Sequence, residues 1–426
     1  MTHAHRSSMY SHALVSTVRR TFRLSTFLFC LFAALSLCLQ PASISAVWTP
    51  PVPQSYFGLH IHHIGTTTPW PAAQFGQWRL WDAYVAWPNL EPHQGQWQFQ
   101  TLDRYVTFAE EHGVNVLLPL GLSPTWASSR PTERSTYQLG NAAEPKNIED
   151  WRDYVKTVAT RYKGRIHDYE IWNEPNLKGF WSGNVAQMID LTREAAQIIH
   201  EIDPHAVLVS PAATAASGTS WLSQFLVAGG GQYVDVIGYH FYVMPQPPED
   251  ILPLIQKVKQ IMLENAVATK PLWDTETGWA LPKPFPSPDL GAAYLARTYL
   301  LVCSSGVQRL YWYSWDNHNW VTIQTTEPDS KTLTPAGHAY ETIYTWMVGA
   351  RLLHCAESSD QTWTCELNRN GSAEWIVWNT TRSEYFVPPE EWHARFVVSL
   401  QGVSQLLTSS GFEAGPSPAL VTSVAQ

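Results

Sequence analysis

Three apolar runs of the chain end on groups able to move a proton or carry a charge. IHDYEIWNEP closes with Trp172, Asn173, Glu174 and Pro175, VDVIGYHFY with His240, Phe241 and Tyr242, and KPLWDTETGW with Thr275, Glu276, Thr277, Gly278 and Trp279. Two carboxyls that meet over one glycosidic bond can divide the work of breaking it. One protonates the leaving oxygen, and the other attacks the anomeric carbon or activates water. Pro175 has no N–H, so ladder pairing stops there and Glu174 is free to turn out of a sheet toward a ligand. Trp172 excludes water from that carboxyl and Glu276 sets a like charge beside it; both raise its pKa and make Glu174 the proton donor. A period of two puts Gly238, His240 and Tyr242 on one face and aligns Leu272, Asp274 and Glu276, with Asp274 in a structural role. A lone glutamate at a strand end is ordinarily a solvated charge. The chemistry rests on the pair, the asparagine beside one member and the His-x-Tyr of a third run taken together.

Such groups need a frame that brings distant segments to one face. From Tyr56 onward FGLHIHHI, WRLWDAYV, VNVLLPLG, IHDYEIWNEP, HAVLVSPA, VDVIGYHFY, KPLWDTETGW and VQRLYWYSWDN read as eight strands. Helical spacing separates them in TLDRYVTFAEEHG, IEDWRDYVKTVATRY, VAQMIDLTREAAQIIHEID, a short segment at 221–227, ILPLIQKVKQIMLENA and LGAAYLARTYLLVCSSG, and a closing helix falls near 338–347. Parallel strands need crossovers and eight of them can close, so residues 47–350, with seven helical connections and the closing helix, are expected to form an α/β (β/α)8 TIM barrel, its chemistry at the carboxyl ends of the strands. Beyond Ala350 the period changes to alternating strands such as AEWIVWNTT and HARFVVSL. Residues 351–426 are therefore expected to form a small all-β, sandwich-like domain, with Trp363, Trp375 and Trp378 in its own core.

At 45% hydrophobic and 15% charged over 426 residues, the chain has ample core material. A net charge of −9, with no long basic run past the leader, excludes a phosphate-backbone field and so nucleic acid as a partner. Arg19, Arg20 and Arg23 precede thirteen mostly apolar residues, 27–39, and then the small-residue stretch 41–46. That is the order of a secretory signal over 1–46, and its apolar run is short of the ~20 residues a spanning helix needs. A secreted or periplasmic protein with no stable membrane span is expected. Cys303 sits in an apolar helical pattern as a buried free thiol, and Cys355 and Cys365, flanking ESSDQTWT, are expected to form a disulfide.

WNEP, HFY, TETGW and YWYSWDN, in this order, resemble clan A of the retaining glycoside hydrolases, and FGLH with the terminal β region is most similar to family 39. The resemblance implies that Glu174 is the acid/base and Glu276 the nucleophile in double displacement at β-O-glycosidic bonds of oligo- or polysaccharides, with no cofactor and no metal. Asn173 would hold the sugar 2-hydroxyl, Arg79 and Tyr242 would hydrogen-bond Glu276, His240 would contact the sugar, and Trp315 would form its stacking floor. His60 and Trp279 are further substrate contacts it implies. Among His60, His62 and His63 the first-strand contact stays open, parity pairing His60 with His62. Sugar, linkage and oligomeric state are open as well.

Two other readings use the same residues. HIHH can be the His-x-His of a metal-dependent amidohydrolase, with Glu174, His240 and Asp316 as further ligands. That set wants a histidine at the end of the fifth strand, where Ser210, Pro211 and Ala212 stand, and it leaves Glu276 without a task. A barrel that binds polysaccharide without cleaving it would be expected to have lost a carboxylate, and both are present. Arg79 could also be a purely structural ion-pair partner. Most of the tryptophans are core; a sugar-facing role is kept for Trp315, Trp279 and Trp126 at strand ends.

Overall fold

In the computed structural model, which describes residues 50–407 and 411–424, the predicted strands join in one parallel sheet. The signal segment expected over 1–46 lies outside the described residues. The strands are β1 (Phe57–His60), β2 (Gln77–Arg79), β3 (Asn115–Leu120), β4 (Asp168–Ile171), β5 (Val207–Val209), β6 (Ala213–Thr214), β7 (Ile237–His240), β8 (Leu272–Thr277) and β9 (Arg309–Trp312). They pair in the order β5-β4-β3-β2-β1-β9-β8-β7-β6. HAVLVSPA, expected as one strand, supplies β5 against β4, and β6 follows against β7. Pro211 lies in the gap, where its missing N–H interrupts the ladder. Ser210 N donates to Val236 O at 2.9 Å and Val209 bridges Val236, so the fifth position touches both neighbours and the eight-position barrel closes.

The helices are α1 (Trp87–Leu90), α2 (Gln100–Glu111), α3 (Ile148–Arg161), α4 (Val185–Ile202), α5 (Ala215–Val227), α6 (Ile251–Glu264), α7 (Pro288–Ser304) and α8 (Pro335–Met347). Their buried positions follow the helical spacing, as in Trp151, Tyr154, Val155 and Val158 of α3. Two expectations change. The helix expected at 221–227 begins six residues earlier, at Ala215, and the β1 to β2 crossover has no helix. HHIGTTTPWPAAQFG has neither apolar helical spacing nor freedom from proline, and Trp70 stacked on Phe75 (centroids 5.2 Å apart) fills the place instead.

Past α8 the chain is all-β. β10 (Arg351–Glu357), β11 (Thr362–Arg369), β12 (Ser372–Asn379), β14 (Phe396–Val398), β15 (Ser404–Leu406) and β17 (Ala419–Thr422) form an antiparallel sheet, while β13 (Glu384–Phe386) pairs with β16 (Phe412–Ala414). Alternation along β12 splits its tryptophans. Trp378 and Ile376 join the barrel's apolar core, as does Trp363 of β11, whereas Val377 and Trp375 pack in a separate small cluster with Phe386, Trp392 and Phe412. Only Trp375 therefore belongs to the region's own core as expected. Trp363 and Trp378 seal it to the barrel, and Trp378 Nε1 donates to Glu249, which also takes the buried Arg297. Cys355 and Cys365 are opposed on β10 and β11 and form the expected disulfide, and Cys303 is buried and free. Among the described residues no helix is long and apolar enough to cross a membrane.

Candidate active site

Loops after the strands set the site at the barrel mouth. Glu174 follows β4 in the left-handed region (φ 43°), and Trp172 two residues earlier is left-handed as well (φ 59°). Such backbone costs on the order of 1–3 kcal/mol per non-glycine residue, so surrounding contacts must hold it. They do: Trp172 N donates to Leu120 O at 2.7 Å, its indole to Phe180 O at 2.7 Å, and Glu174 N to Ala212 O at 3.0 Å. A capping box between Asn184 and Gln187 then starts α4 and fixes the far end of the loop. Glu276 comes from within β8.

One oxygen of Glu174, one of Glu276 and one ring nitrogen of His240 all lie within 4.8 Å of one another. Arg79 of β2, fully buried, holds the group together with three parts of its fork. Its Nε donates to Glu170 Oε2 at 2.6 Å, Nη1 to Glu276 Oε2 at 2.8 Å and Nη2 to Asn173 Oδ1 at 2.8 Å. Tyr242 donates its hydroxyl to Glu276 Oε1 at 3.0 Å. Asn173, with its oxygen taken by Arg79, keeps its amide nitrogen to donate to a ligand hydroxyl. His240 Nδ1 sits 3.0 Å from Glu174 Oε1 and 4.0 Å from Glu276 Oε1.

Burial pushes the Glu174 carboxyl up to about 7, against the pull of the Thr214 hydrogen bond and Arg79. Burial likewise raises Glu276 to about 7; His240 and Arg79 pull it down and Glu174 pushes it up. Two carboxyls this close do not both ionise freely near neutral pH, and one proton is held between them. Contacts decide its place. Glu276 accepts directly from a guanidinium and a phenol, both of which favour its anion, whereas Glu174 has the neutral Thr214 hydroxyl and faces His240, which burial keeps neutral by lowering it to about 4. The proton therefore rests on Glu174.

Of the residues singled out in the sequence, Glu174, Glu276, Asn173, Arg79, His240 and Tyr242 converge here. Four others do not. Trp126 lies off the cavity, its indole donating to Glu91 O at 2.9 Å. Trp315 is 2% exposed and packs in the main core, so it offers no stacking face. Trp279 is buried against Trp312, its indole donating to Gln246 O at 3.1 Å. His60 is buried with Nε2 at 3.1 Å from Thr275 O. His240, expected against the sugar, is wholly buried beneath the carboxyls. The aromatic faces on the cavity, about 580 Å³, are Tyr313, Trp320, Trp81, Tyr137 and Phe180. Tyr313 shares parity with Trp315 but lies nearer the strand end, one residue past β9. Glu170 and Asp82 were missed as well. Glu170 accepts from Arg79 and from Thr275 Oγ1 at 2.7 Å; Asp82 accepts from Tyr313 at 2.6 Å and Tyr137 at 2.5 Å. A charge inside the apolar strand DYEI was the available signal for Glu170.

Among the described residues, the three groups within reach of a shared ion are Glu174, His240 and Glu276, and neither member of the His-x-His pair joins them. Both oxygens of Glu276 already accept hydrogen bonds and a guanidinium abuts one of them. That set fits a cation poorly and suits a covalent bond to carbon.

A family model described as glycosyl hydrolases family 39 matches residues 80–315. A β-xylosidase of Geobacillus stearothermophilus is 27% identical over 229 residues, 47% of this chain and 45% of that protein. A β-xylosidase of Caldicellulosiruptor saccharolyticus is 29% identical over 152 residues, 34% of this chain and 31% of that one. The chain thus spans less than half the length of these curated relatives. A solved family 39 glycoside hydrolase from the gut symbiont Bacteroides cellulosilyticus WH2 superposes with a TM-score of 0.71 at 19% identity, covering 87% of this chain and 81% of that one. A monomeric β-xylosidase from Caulobacter crescentus CB15 gives 0.62 at 18% identity, covering 88% and 97%. At these identities the likeness establishes the barrel fold.

Proposed function

The chain belongs to glycosyl hydrolase family 39, and from that premise we propose that it cleaves β-O-glycosidic bonds of oligo- or polysaccharides with retention of configuration. The spacing of its two glutamates carries this reading. An oxygen of Glu174 lies within 4.8 Å of one of Glu276, in keeping with the ~5–5.5 Å of retaining pairs and short of the ~6.5–9.5 Å that leaves room for an attacking water.

Glu276 attacks the anomeric carbon as Glu174 gives its proton to the departing oxygen, and a glycosyl ester forms on Glu276. With the leaving group gone, Glu174 takes a proton from water, the hydroxide displaces Glu276 from the anomeric carbon, and both carboxyls return to their starting states. Arg79 and Tyr242 hold Glu276 ionised and aimed. Asn173 donates to the hydroxyl beside the reacting carbon, where the bond strengthens as charge develops. We also read the protein as exported, which the basic residues ahead of the apolar run 27–39 support.

Proton NMR of the products from 4-nitrophenyl β-xyloside and β-glucoside tests the chemistry. The β-anomer should appear first, and first appearance of the α-anomer would overturn the retaining mechanism. Loss of turnover in Glu276→Gln with sugar binding kept is expected. An unmodified protein that binds β-glycans and cleaves none would make it a binding barrel.

A further inference from the structure

Beside the carboxyl cavity lies a second one of about 510 Å³, and Trp81, Asp82 and Tyr137 line both. Neither glutamate borders it. Its walls come from the loops after β1, β2, β3 and β9, through His62, Tyr84, Leu122, Asp316 and Asn319. The carboxyl cavity instead extends over the loop after β4 and the first turn of α5, through Leu177, Phe180, Ala215 and Ser217. Glu174 protonates the leaving oxygen, so the leaving group lies on the β4 side. The half of the substrate retained on Glu276 then points the other way, toward the second cavity.

Its chemistry matches a neutral sugar. Tyr84 is 64% exposed at the rim and Tyr137 42%, so both offer ring faces to a pyranose. His62 is 3% exposed, and its Nε2 has no hydrogen-bond partner although it borders the cavity. An unpaired buried nitrogen is costly, and a turn of the ring toward the cavity would let a ligand hydroxyl satisfy it. Asp316 is fixed as an acceptor by His62 N (2.9 Å), His63 N (3.0 Å) and Thr68 Oγ1 (2.6 Å). Asp82, Tyr84 and Leu122 are left-handed without being glycine, at φ 56°, 59° and 64°. Backbone strain of this kind clusters at ligand sites. No lysine or arginine is among the lining residues, and two aspartates are. An anionic sugar would meet repulsion.

We propose that this cavity binds a second, uncharged sugar residue on the retained side of the cleaved bond, so that the enzyme releases disaccharide units from β-linked chains in preference to single sugars. The inference rests on the glycosidase reading above and adds its substrate class. Its size, within the ~300–1,000 Å³ of ligand pockets, accommodates this.

The test compares 4-nitrophenyl β-xyloside with the β-xylobioside, and 4-nitrophenyl β-glucoside with the β-cellobioside. At least one disaccharide glycoside should exceed its monosaccharide counterpart in kcat/KM by tenfold or more. Tyr84→Ala, at an exposed position, should remove most of that advantage while leaving monosaccharide turnover unchanged. Equal turnover within both pairs, or a variant that slows both substrates alike, overturns the proposal. If no aryl glycoside is cleaved, the glycosidase reading fails on its own, and calorimetric titration of Glu276→Gln with xylotetraose and cellotetraose decides the cavity. Binding weakened tenfold or more by Tyr84→Ala supports the site; absent or unaltered binding refutes it.

Discussion

Both ends of the barrel bury an arginine among carboxylates, but in different proportion. Near the amino ends of the strands Arg309 meets Asp168 at 2.5 Å and Gln77 at 3.1 Å, and its guanidinium lies 3.7 Å over the Trp273 ring. One cation faces one anion. At the mouth Arg79 faces Glu170 and Glu276 directly, with Glu174 close enough to act on its charge. One cation there serves three carboxyls, and burial, with the surplus charge added to it, keeps a proton in the site at neutral pH. Backbone strain follows the same division. Left-handed positions leading into strands include Gly113 and Gly306, where no side chain resists, with Ala266 a non-glycine exception, whereas those at the mouth include Asp82, Tyr84, Leu122, Trp172, Glu174 and Ala215. Matched charge with relaxed backbone marks a stabilising end, and unmatched charge with strained backbone a reactive one.

The largest test of this contrast removes the nucleophile. Glu276→Gln should lower kcat/KM for an aryl β-glycoside by more than ~10⁴-fold, since no other group can form the glycosyl ester. Steady-state initial rates at substrate well below KM check it, and a residual rate within tenfold of the parent would mean that Glu276 is not the nucleophile. Glu174→Gln should cost about 10²–10⁴-fold, less for substrates whose leaving group departs without a proton. The pH profile follows from both carboxyls being raised to about 7. Activity requires Glu276 ionised and Glu174 protonated, so kcat/KM should fall in acid as Glu276 takes a proton and in alkali as Glu174 loses one, a bell with both limbs near neutrality. Tyr242→Phe removes a donor to the Glu276 anion. A loss of about 10-fold is expected, with the acid limb moved to higher pH because the anion is less stabilised; an unmoved acid limb would assign that limb to another group.

How much of this the chain disclosed depends on what each residue had to satisfy. Strands and helices were legible where one period ruled, as in IEDWRDYVKTVATRY and VDVIGYHFY, because a single buried face imposes it. The break between β5 and β6 was not read, although Pro211 stood in HAVLVSPA as its cause. Glu174, Glu276 and Tyr242 were legible because parity and strand ends dictate where they point, whereas the roles of Asn173 and Arg79 came from the family resemblance. Trp315 was assigned as the stacking floor by the family resemblance, which does not fix how far this strand runs. β9 stops at Trp312, so Tyr313 is the ring that reaches the cavity and Trp315 turns into the core. The Asp82 clasp on Tyr137 and Tyr313 joins three loops remote in sequence, and no local period reports on such a contact.

The smallest effect on turnover should come from the opposite end of the barrel. Arg309→Met strands Asp168 without its cation, and breaking a buried pair costs about 3–5 kcal/mol; Arg309 is 18% exposed, so a value at the low end is expected. Denaturant unfolding should register that loss, while kcat/KM per folded molecule and both pH limbs stay at the parent values. Arg79→Met differs in kind, because it leaves Glu170 and Glu276 without their shared cation and lifts the nucleophile's pKa further. It should lose stability and also shift the acid limb upward. If Arg309→Met moved the limb as far as Arg79→Met does, charge at the two ends would be coupled through the barrel, and the division between a stabilising floor and a reactive mouth would fail.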